Sequence, residues 1–305
     1  MSIPTHISTR AGDIAFPAYI PVTTFGQKYP LDNLIRPYLP RLAPAVMVSM
    51  HYAKQMKEHP GLPVWIDSGG FASLFKNASI KERRGLGILE LALPDSTEVT
   101  RPKDVLAFQE KHADLAFTLD FPIPPGMALQ EAEKRQALSI TNAIWALENK
   151  RRKDLPLYAC IQGWDTNSIR KCAKAFASEN FDGVAIGGMV PRAKQFEQVL
   201  QMIRAVREEL PDKPIHVFGL GKPAFVQQLY DCGVQSVDSS AYVKMAASGK
   251  LWSQPDLVLK DASPMERMHL ALCNLASVNP STLNLSSSKF IFTTHQLLQR
   301  GRPDT

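Results

Sequence analysis

Short apolar runs recur along the chain, and they are nearly continuous rather than alternating with polar residues. They are Ala18-Tyr-Ile-Pro-Val-Thr-Thr24, Ala45-Val-Met-Val-Ser49, Val64-Trp-Ile-Asp67, Leu115-Ala-Phe-Thr-Leu-Asp120, Leu157-Tyr-Ala-Cys-Ile-Gln162, Gly183-Val-Ala-Ile-Gly187, Ile215-His-Val-Phe-Gly219 and Val234-Gln-Ser-Val-Asp238. Runs of this kind predict parallel strands buried on both faces. Between them the spacing turns helical. Leu129, Ala132, Ala137, Ile140, Ile144 and Leu147 mark a helix over 128–149. Ile169, Cys172, Ala173 and Phe176 mark one over 166–179, and Phe196, Val199, Ile203 and Val206 one over 194–210. The loop Gly219-Leu-Gly-Lys222 leads into a helix over 223–231 that starts on a proline, where the missing N–H costs nothing.

Strands alternating with helices predict an α/β fold, a (β/α)8 TIM barrel over residues 1–260, with an open doubly wound sheet as the alternative. The segment 76–104 is too long for a simple crossover and carries Lys81-Glu-Arg-Arg84, so it is expected as an insertion near the strand tips. From about Asp261 the pattern changes to a helix over Pro264–Ser277, then Ser286-Ser-Ser288 and an amphipathic tail. Residues 261–305 are therefore expected as a short helical appendage packed on the barrel.

A chain of 305 residues with 45% hydrophobic and 21% charged residues has the composition of a globular protein with a large core. No apolar run approaches the roughly 20 residues of a membrane span, and the start has no signal-peptide pattern. Cys160, Cys172, Cys232 and Cys273 stand far apart, which argues against a disulfide framework or a zinc ribbon and suits a reducing cytoplasm. The formal charge of +6 favours a polyanionic partner, although an ordinary basic enzyme would share it.

Chemistry gathers at the ends of the predicted strands: Asp67, Asp120, Gln162, Gly187-Gly188 and Asp238. Each acid alone reads as a cap or turn former. In a barrel, however, strand ends converge on one mouth, so residues remote in sequence come to share a pocket. Carboxylates in such a set suit glycosyl transfer or hydrolysis: one attacks an anomeric carbon and another handles the proton of the leaving group. A further Asp and Gln suit the hydrogen-bonding edge of a purine, and Phe71 its face. Metal binding by the acids is the weaker reading, because no histidine accompanies them at the strand ends.

The ordered set Asp67-Ser-Gly-Gly-Phe71, Ile161-Gln-Gly163, Phe181-Asp-Gly-Val-Ala-Ile-Gly-Gly188, Phe218-Gly-Leu-Gly221 and Val237-Asp238 resembles the successive motifs of the tRNA-guanine transglycosylase superfamily. Ile20-Pro-Val-Thr-Thr-Phe-Gly26 and Val48-Ser-Met-His-Tyr52 are similar to that family's first two strands. The resemblance implies a guanine transglycosylase with Asp238 as the nucleophile that forms a covalent glycosyl intermediate and Asp67 as general acid/base. It implies Asp120, Gln162, Gly187, Gly188 and Met189 as base-binding residues, with Phe71 as an aromatic lid. Lys244 stands where the family has an arginine near the nucleic acid, and Arg192, Lys194 and Lys250 follow other site strands, so all four are candidate phosphate contacts.

Three departures bear on the substrate. Where the tRNA enzymes carry a zinc site, this chain reads Ser248-Gly-Lys-Leu-Trp-Ser-Gln-Pro255; the only nearby donors, His269 and Cys273, read as packing residues, so no metal cofactor is expected. Ala72 follows the aromatic in place of the family's glutamine, and Ser239-Ser240 follows the nucleophile. The pattern looks closer to the DNA-modifying 7-deazaguanine transglycosylases. DNA is thus expected as the polymer in preference to tRNA, with a free 7-deazaguanine base such as 7-cyano-7-deazaguanine as the second substrate and accessory proteins to open the duplex. An N-glycoside hydrolase and a non-catalytic nucleic-acid-binding relative are the competing functions.

Overall fold

The computed structural model describes residues 3–25 and 29–278. All eight predicted strands are present, at Ala18–Pro21, Val46–Ser49, Val64–Asp67, Leu115–Phe117, Leu157–Ile161, Gly183–Ile186, Ile215–Val217 and Ser236–Ser239. Numbered one to eight along the chain, they pair in parallel in the order first, eighth, seventh, sixth, fifth, fourth, third, second. The two edges meet just beyond the first strand: Val22 bridges Met47 in parallel, and the Thr23 N–H donates to the Met47 carbonyl at 2.9 Å. That contact closes the (β/α)8 barrel and removes the exposed edges of an open sheet.

Closure gives the strand alternation its meaning. Val64 and Ile66 face outward into the shell shared with the helices, whereas Trp65 faces the lumen with Ile20, Met47, Leu115, Phe117, Tyr158 and Cys160. The side-chain period of two then puts Asp67 in phase with Trp65, Gln162 with Cys160, and Asp238 with Ser236. Continuous apolar runs thus end in polar residues that face inward. At the other end, the antiparallel hairpin His6–Thr9/Gly12–Ala15 packs Ile7 and Ile14, paired across it, onto the same lumen cluster. Beside it Asp114, fully buried, accepts the Val64 N–H at 2.8 Å and the Arg10 Nε–H at 2.6 Å.

The expected insertion is a three-stranded antiparallel meander, Ala78–Arg83, Leu86–Ala92 and Thr97–Thr100, between the third strand and the helix Pro102–His112. Its attachment is specific. Asn142 of the helix Leu129–Asn149 accepts the Gly87 N–H at 2.9 Å and donates Nδ2–H to the Gly87 and Leu119 carbonyls at 3.1 and 3.2 Å.

That helix differs from its predicted amphipathic reading. Leu129 is largely exposed and Ala137 is exposed, while Ala132, Gln136, Ser139, Ala143 and Ala146 form the inner face. The polar members belong inside because loop backbone meets them there. Ser139 Oγ accepts the Phe121 N–H at 2.9 Å, and Gln136 Nε2 donates to the Gln162 and Ser168 carbonyls at 2.7 and 2.9 Å.

The helix expected over 166–179 is shorter, Thr166–Lys174, opened by a capping box in which the Ser168 N–H donates to Asp165 and the Asp165 N–H to Ser168 Oγ. The segment 194–210 begins as a 3₁₀ turn, Val190–Gln195, before the helix Phe196–Glu209. The appendage helix, Pro264–Val278, packs on the helix Ala241–Ala247 and on Pro30–Ile35. The Ser-rich stretch at 286–288 and the amphipathic tail lie outside the described residues.

Candidate active site

The DSGG sequence that follows the third strand makes a tight corner. Gly69 sits at φ +83°, a left-handed conformation that a side chain would resist, and Gly70 packs against the Asp120 backbone so closely that a Cβ would collide with it. The corner holds Asp67 at the strand end. Its Oδ2 accepts the Gly69 N–H at 3.4 Å, and Ser68, fully buried, donates to Asp120 Oδ1 at 3.3 Å.

Asp120 lies three residues past the fourth strand, and Gln162 directly follows the fifth. Gln162 donates Nε2–H to Asp120 Oδ2 at 2.5 Å and accepts the Ile123 N–H at 3.3 Å. Gly187 follows the sixth strand and leaves no room for a Cβ against the Gln162 amide, so the glycine is what lets that side chain lie flat across the pocket wall. Gly188 follows at φ +72°, and Met189 is fully buried behind it.

Asp238 stands inside the eighth strand. Its Oδ1 is bonded at 3.0 Å by His216 Nε2 of the seventh strand and at 3.0 Å by the Gly219 N–H. Among the described residues no hydrogen bond is made to Oδ2. His216 is wholly buried in a layer of rings, 5.7 Å from Trp65, 5.3 Å from Phe117 and 4.9 Å from Phe218 between centroids, and its Nδ1 lies 2.8 Å from Ser236 Oγ. That aromatic layer floors the acid cluster.

The electrostatics tie the three acids together. Burial, then the negative charges of Asp120 and Asp238, push Asp67 up to about 7, against the lowering effect of the Gly69 and Ser68 N–H groups. Burial pushes Asp120 up to about 6, opposed by the hydrogen bonds from Gln162 and Ser68. A carboxyl that titrates near neutrality both gives and takes a proton readily.

The sequence-derived residues separate into two groups. Asp67, Asp120, Gln162, Gly187, Gly188, Met189 and Asp238 come together at the carboxyl end of the barrel. Phe71 lies on the 3₁₀ turn Gly70–Leu74, 63% exposed at the rim and edge-on to Phe75 at 6.2 Å. Lys194 and Lys244 are exposed and Lys250 is partly buried.

Arg192 differs from a phosphate-facing cation. It is 3% exposed, and its guanidinium donates to the carbonyls of Ile123 at 3.0 Å, Gly188 at 2.5 Å, and Gly163 and Trp164 at 3.5 Å each. It therefore ties the loops after the fourth, fifth and sixth strands to one another, and forms one wall of a cavity of about 310 Å³ also lined by Pro124, Pro125, Met127 and Trp164. The basic group around Arg170 is a solvated helix face, with Arg170 paired to Glu208 and Glu209 at 2.6 and 3.0 Å.

His216 escaped the sequence reading, which found no histidine at the strand ends. The signal was present: in Ile215-His-Val-Phe218 a histidine interrupts an apolar strand and falls in the inward phase. Residues 248–255 carry no Cys or His, and among the described residues no group of three or more His, Cys, Asp or Glu side chains gathers to hold a metal. Among the described residues, the donors present do not fit the zinc site that the resemblance implies for the tRNA enzymes.

The closed (β/α)8 barrel thus collects three carboxylates, a glutamine and a Gly-Gly wall at one mouth. A family model described as queuine tRNA-ribosyltransferase matches residues 5–290, and the chain belongs to that family. It is similar to the tRNA-guanine(15) transglycosylase of Methanococcus aeolicus, 31% identical over 179 residues that cover 56% of this chain and 28% of that protein. The enzyme of the same description from Methanocaldococcus jannaschii is 29% identical over 222 residues, 69% of this chain and 34% of that one. A queuine tRNA-ribosyltransferase of Thermosipho africanus is 28% identical over 197 residues, 62% of this chain and 52% of that protein. The matched stretch thus spans from about a quarter to about half of these relatives' own lengths. Among the described residues no helix is long and apolar enough to cross a membrane.

Proposed function

We propose that the protein is a guanine transglycosylase that exchanges guanine in a nucleic acid for a free 7-deazaguanine base, through a glycosyl ester on Asp238. The observation that carries this reading is the meeting of Asp67, Asp120, Gln162 and Asp238 at one barrel mouth. Asp238 Oδ2 attacks C1′ of the target nucleotide, the C1′–N9 bond breaks, and its electron pair goes to the purine. Asp67, titrating near 7, supplies the proton that lets the base leave neutral. In the second half the incoming base gives its N9 proton to Asp67 and attacks C1′, and the carboxylate of Asp238 departs.

Asp120 accepts the N1–H and exocyclic amine of either base, Gln162 presents its amide to the remaining edge, and Phe71 stacks on the face from the rim. Ser68 donates to one oxygen of Asp120 and Gln162 to the other, which fixes the carboxylate while leaving lone-pair capacity for the base. A base inside a duplex must be extruded to reach a buried mouth. A reducing cytoplasm, where the four cysteines stay thiols, is the compartment that suits the enzyme.

The polymer is the finer question. The relatives' names speak for tRNA, and we take tRNA as the first acceptor to test. DNA, with accessory proteins that open it, is the second reading, favoured by the departures at Ala72, Ser239-Ser240 and 248–255. Labelled 7-deazaguanine base offered with tRNA and with single- and double-stranded DNA in parallel decides between them by which polymer gains label. Asp238→Asn is expected to lower label incorporation by at least about a thousand-fold; incorporation undiminished in that variant would overturn the assignment. Production of an abasic site without incorporation of the new base would establish the hydrolase instead. We further propose that no zinc serves this chain; elemental analysis near one zinc per chain would refute that.

A further inference from the structure

We infer that His216 is a positioning residue for the nucleophile: its Nε2–H and the Gly219 N–H together hold Asp238 Oδ1, select Oδ2 as the attacking oxygen, and receive the charge when the carboxylate departs. The inference rests on the reading of Asp238 as nucleophile and adds to it a residue drawn from a strand that the sequence reading treated as core.

The direction of the bonds follows from the partners. An ionised carboxylate oxygen only accepts, so Nε2 carries the hydrogen across the 3.0 Å contact. Ser236 Oγ, 2.8 Å from Nδ1, holds the other side of the ring, so the imidazole is fixed at both ends. The ring cannot swing away, because Trp65, Phe117 and Phe218 pack around it at centroid distances of 4.9–5.7 Å. Two donors on one oxygen draw charge to it and leave the other oxygen to bond C1′.

The balance of the reaction is the same in both directions. Formation of the Oδ2–C1′ ester turns Oδ1 into the ester carbonyl, and the two N–H groups then hold a neutral acceptor. When N9 of the incoming base attacks C1′, the C1′–Oδ2 pair returns to Asp238 and charge reappears on Oδ1 where both donors already point. No proton leaves His216 in either half. Donors already aimed at the returning charge lower the barrier to breakdown of the ester, and in its formation they act by fixing which oxygen faces C1′.

Three measurements test this. In the wild-type protein, 15N NMR of the His216 ring is expected to show Nε2 protonated; an unprotonated Nε2 beside Asp238 overturns the proposal, and this readout stands whether or not base exchange is found. His216→Phe keeps an aromatic ring in the layer and removes the donor. It is expected to lower kcat by about 10- to 100-fold with the KM for the nucleic acid little changed, and to slow both formation and breakdown of the covalent adduct in single turnovers. His216→Gln, which retains an N–H donor, is expected to recover part of the loss. A His216→Phe variant that melts like wild type and exchanges base at the wild-type rate would overturn the role. So would a loss confined to KM. Absence of exchange in the wild type with every polymer would count against the proposed function and leave the NMR result to decide the hydrogen bond.

Discussion

Asp67 shows how one residue's surroundings set its chemistry. An ordinary aspartate is ionised above about pH 4, but burial and the charges of Asp120 and Asp238 push this one up to about 7. In the proposed reaction guanine release needs the protonated form, so the first half-reaction is expected to slow as pH rises through about 7. Asp67→Asn, which cannot give a proton, should lose that limb along with most of its rate. The same shift bears on stability. Folded Asp67 holds its proton more tightly than the unfolded chain does, so the folded state carries the extra proton between about pH 4 and 7, and stability falls as pH rises across that window. Thermal melts of Asp67→Asn are therefore expected to show a flatter pH dependence and, at pH 8, a stability above wild type by about 1–3 kcal/mol. A variant less stable than wild type at pH 8 would contradict this. Asp67, Asp120, Gln162 and Asp238 were legible because each ends an apolar run. His216 was not, because a histidine inside such a run reads as core until the fold brings Asp238 of the neighbouring strand within 3.0 Å of its Nε2.

At the scale of the elements, polar side chains that look misplaced in the sequence join the pieces together. Asn142 joins the inserted meander to the helix Leu129–Asn149 and to the loop that carries Asp120. Its replacement by alanine leaves the buried Gly87 N–H without that acceptor, at a cost of about 1–3 kcal/mol, read as a lowered denaturation midpoint. A wild-type midpoint in that variant would show that the meander is held by packing alone. The strands could be placed from their apolar runs, whereas the inner face of Leu129–Asn149 could not: Gln136, Ser139 and Asn142 are buried because loop backbone needs partners, and a periodicity of apolar residues carries no information about that need. Arg192 was misjudged for the same reason. A cation after a site strand suggests phosphate, but here four carbonyls surround it.

For the whole molecule, barrel closure through Val22 and Met47 is what turns scattered strand ends into one mouth. The eight strands and their alternation with helices were readable from the chain; the hairpin His6–Ala15 was not, because two four-residue strands with one buried isoleucine each give almost no pattern. The proposed nucleic-acid substrate makes charge around the mouth testable. Lys194→Ala and Lys244→Ala are each expected to lower the slope of log affinity against log salt by about 1 for nucleic acid, while Arg192→Lys leaves the slope unchanged, because its partners are carbonyls rather than phosphates. Equal effects from all three would return Arg192 to the docking surface.

The central claim is that Asp238 carries the sugar between two bases, and it is tested most directly by trapping that ester. Protein mixed with guanine-containing tRNA or DNA, denatured before exchange completes, is expected to carry a covalent polynucleotide whose attachment maps by mass spectrometry to Asp238 and disappears in Asp238→Asn. A wild-type protein that incorporates the new base with no adduct at Asp238 under the same quench, or an adduct that maps to Asp67, would contradict the account.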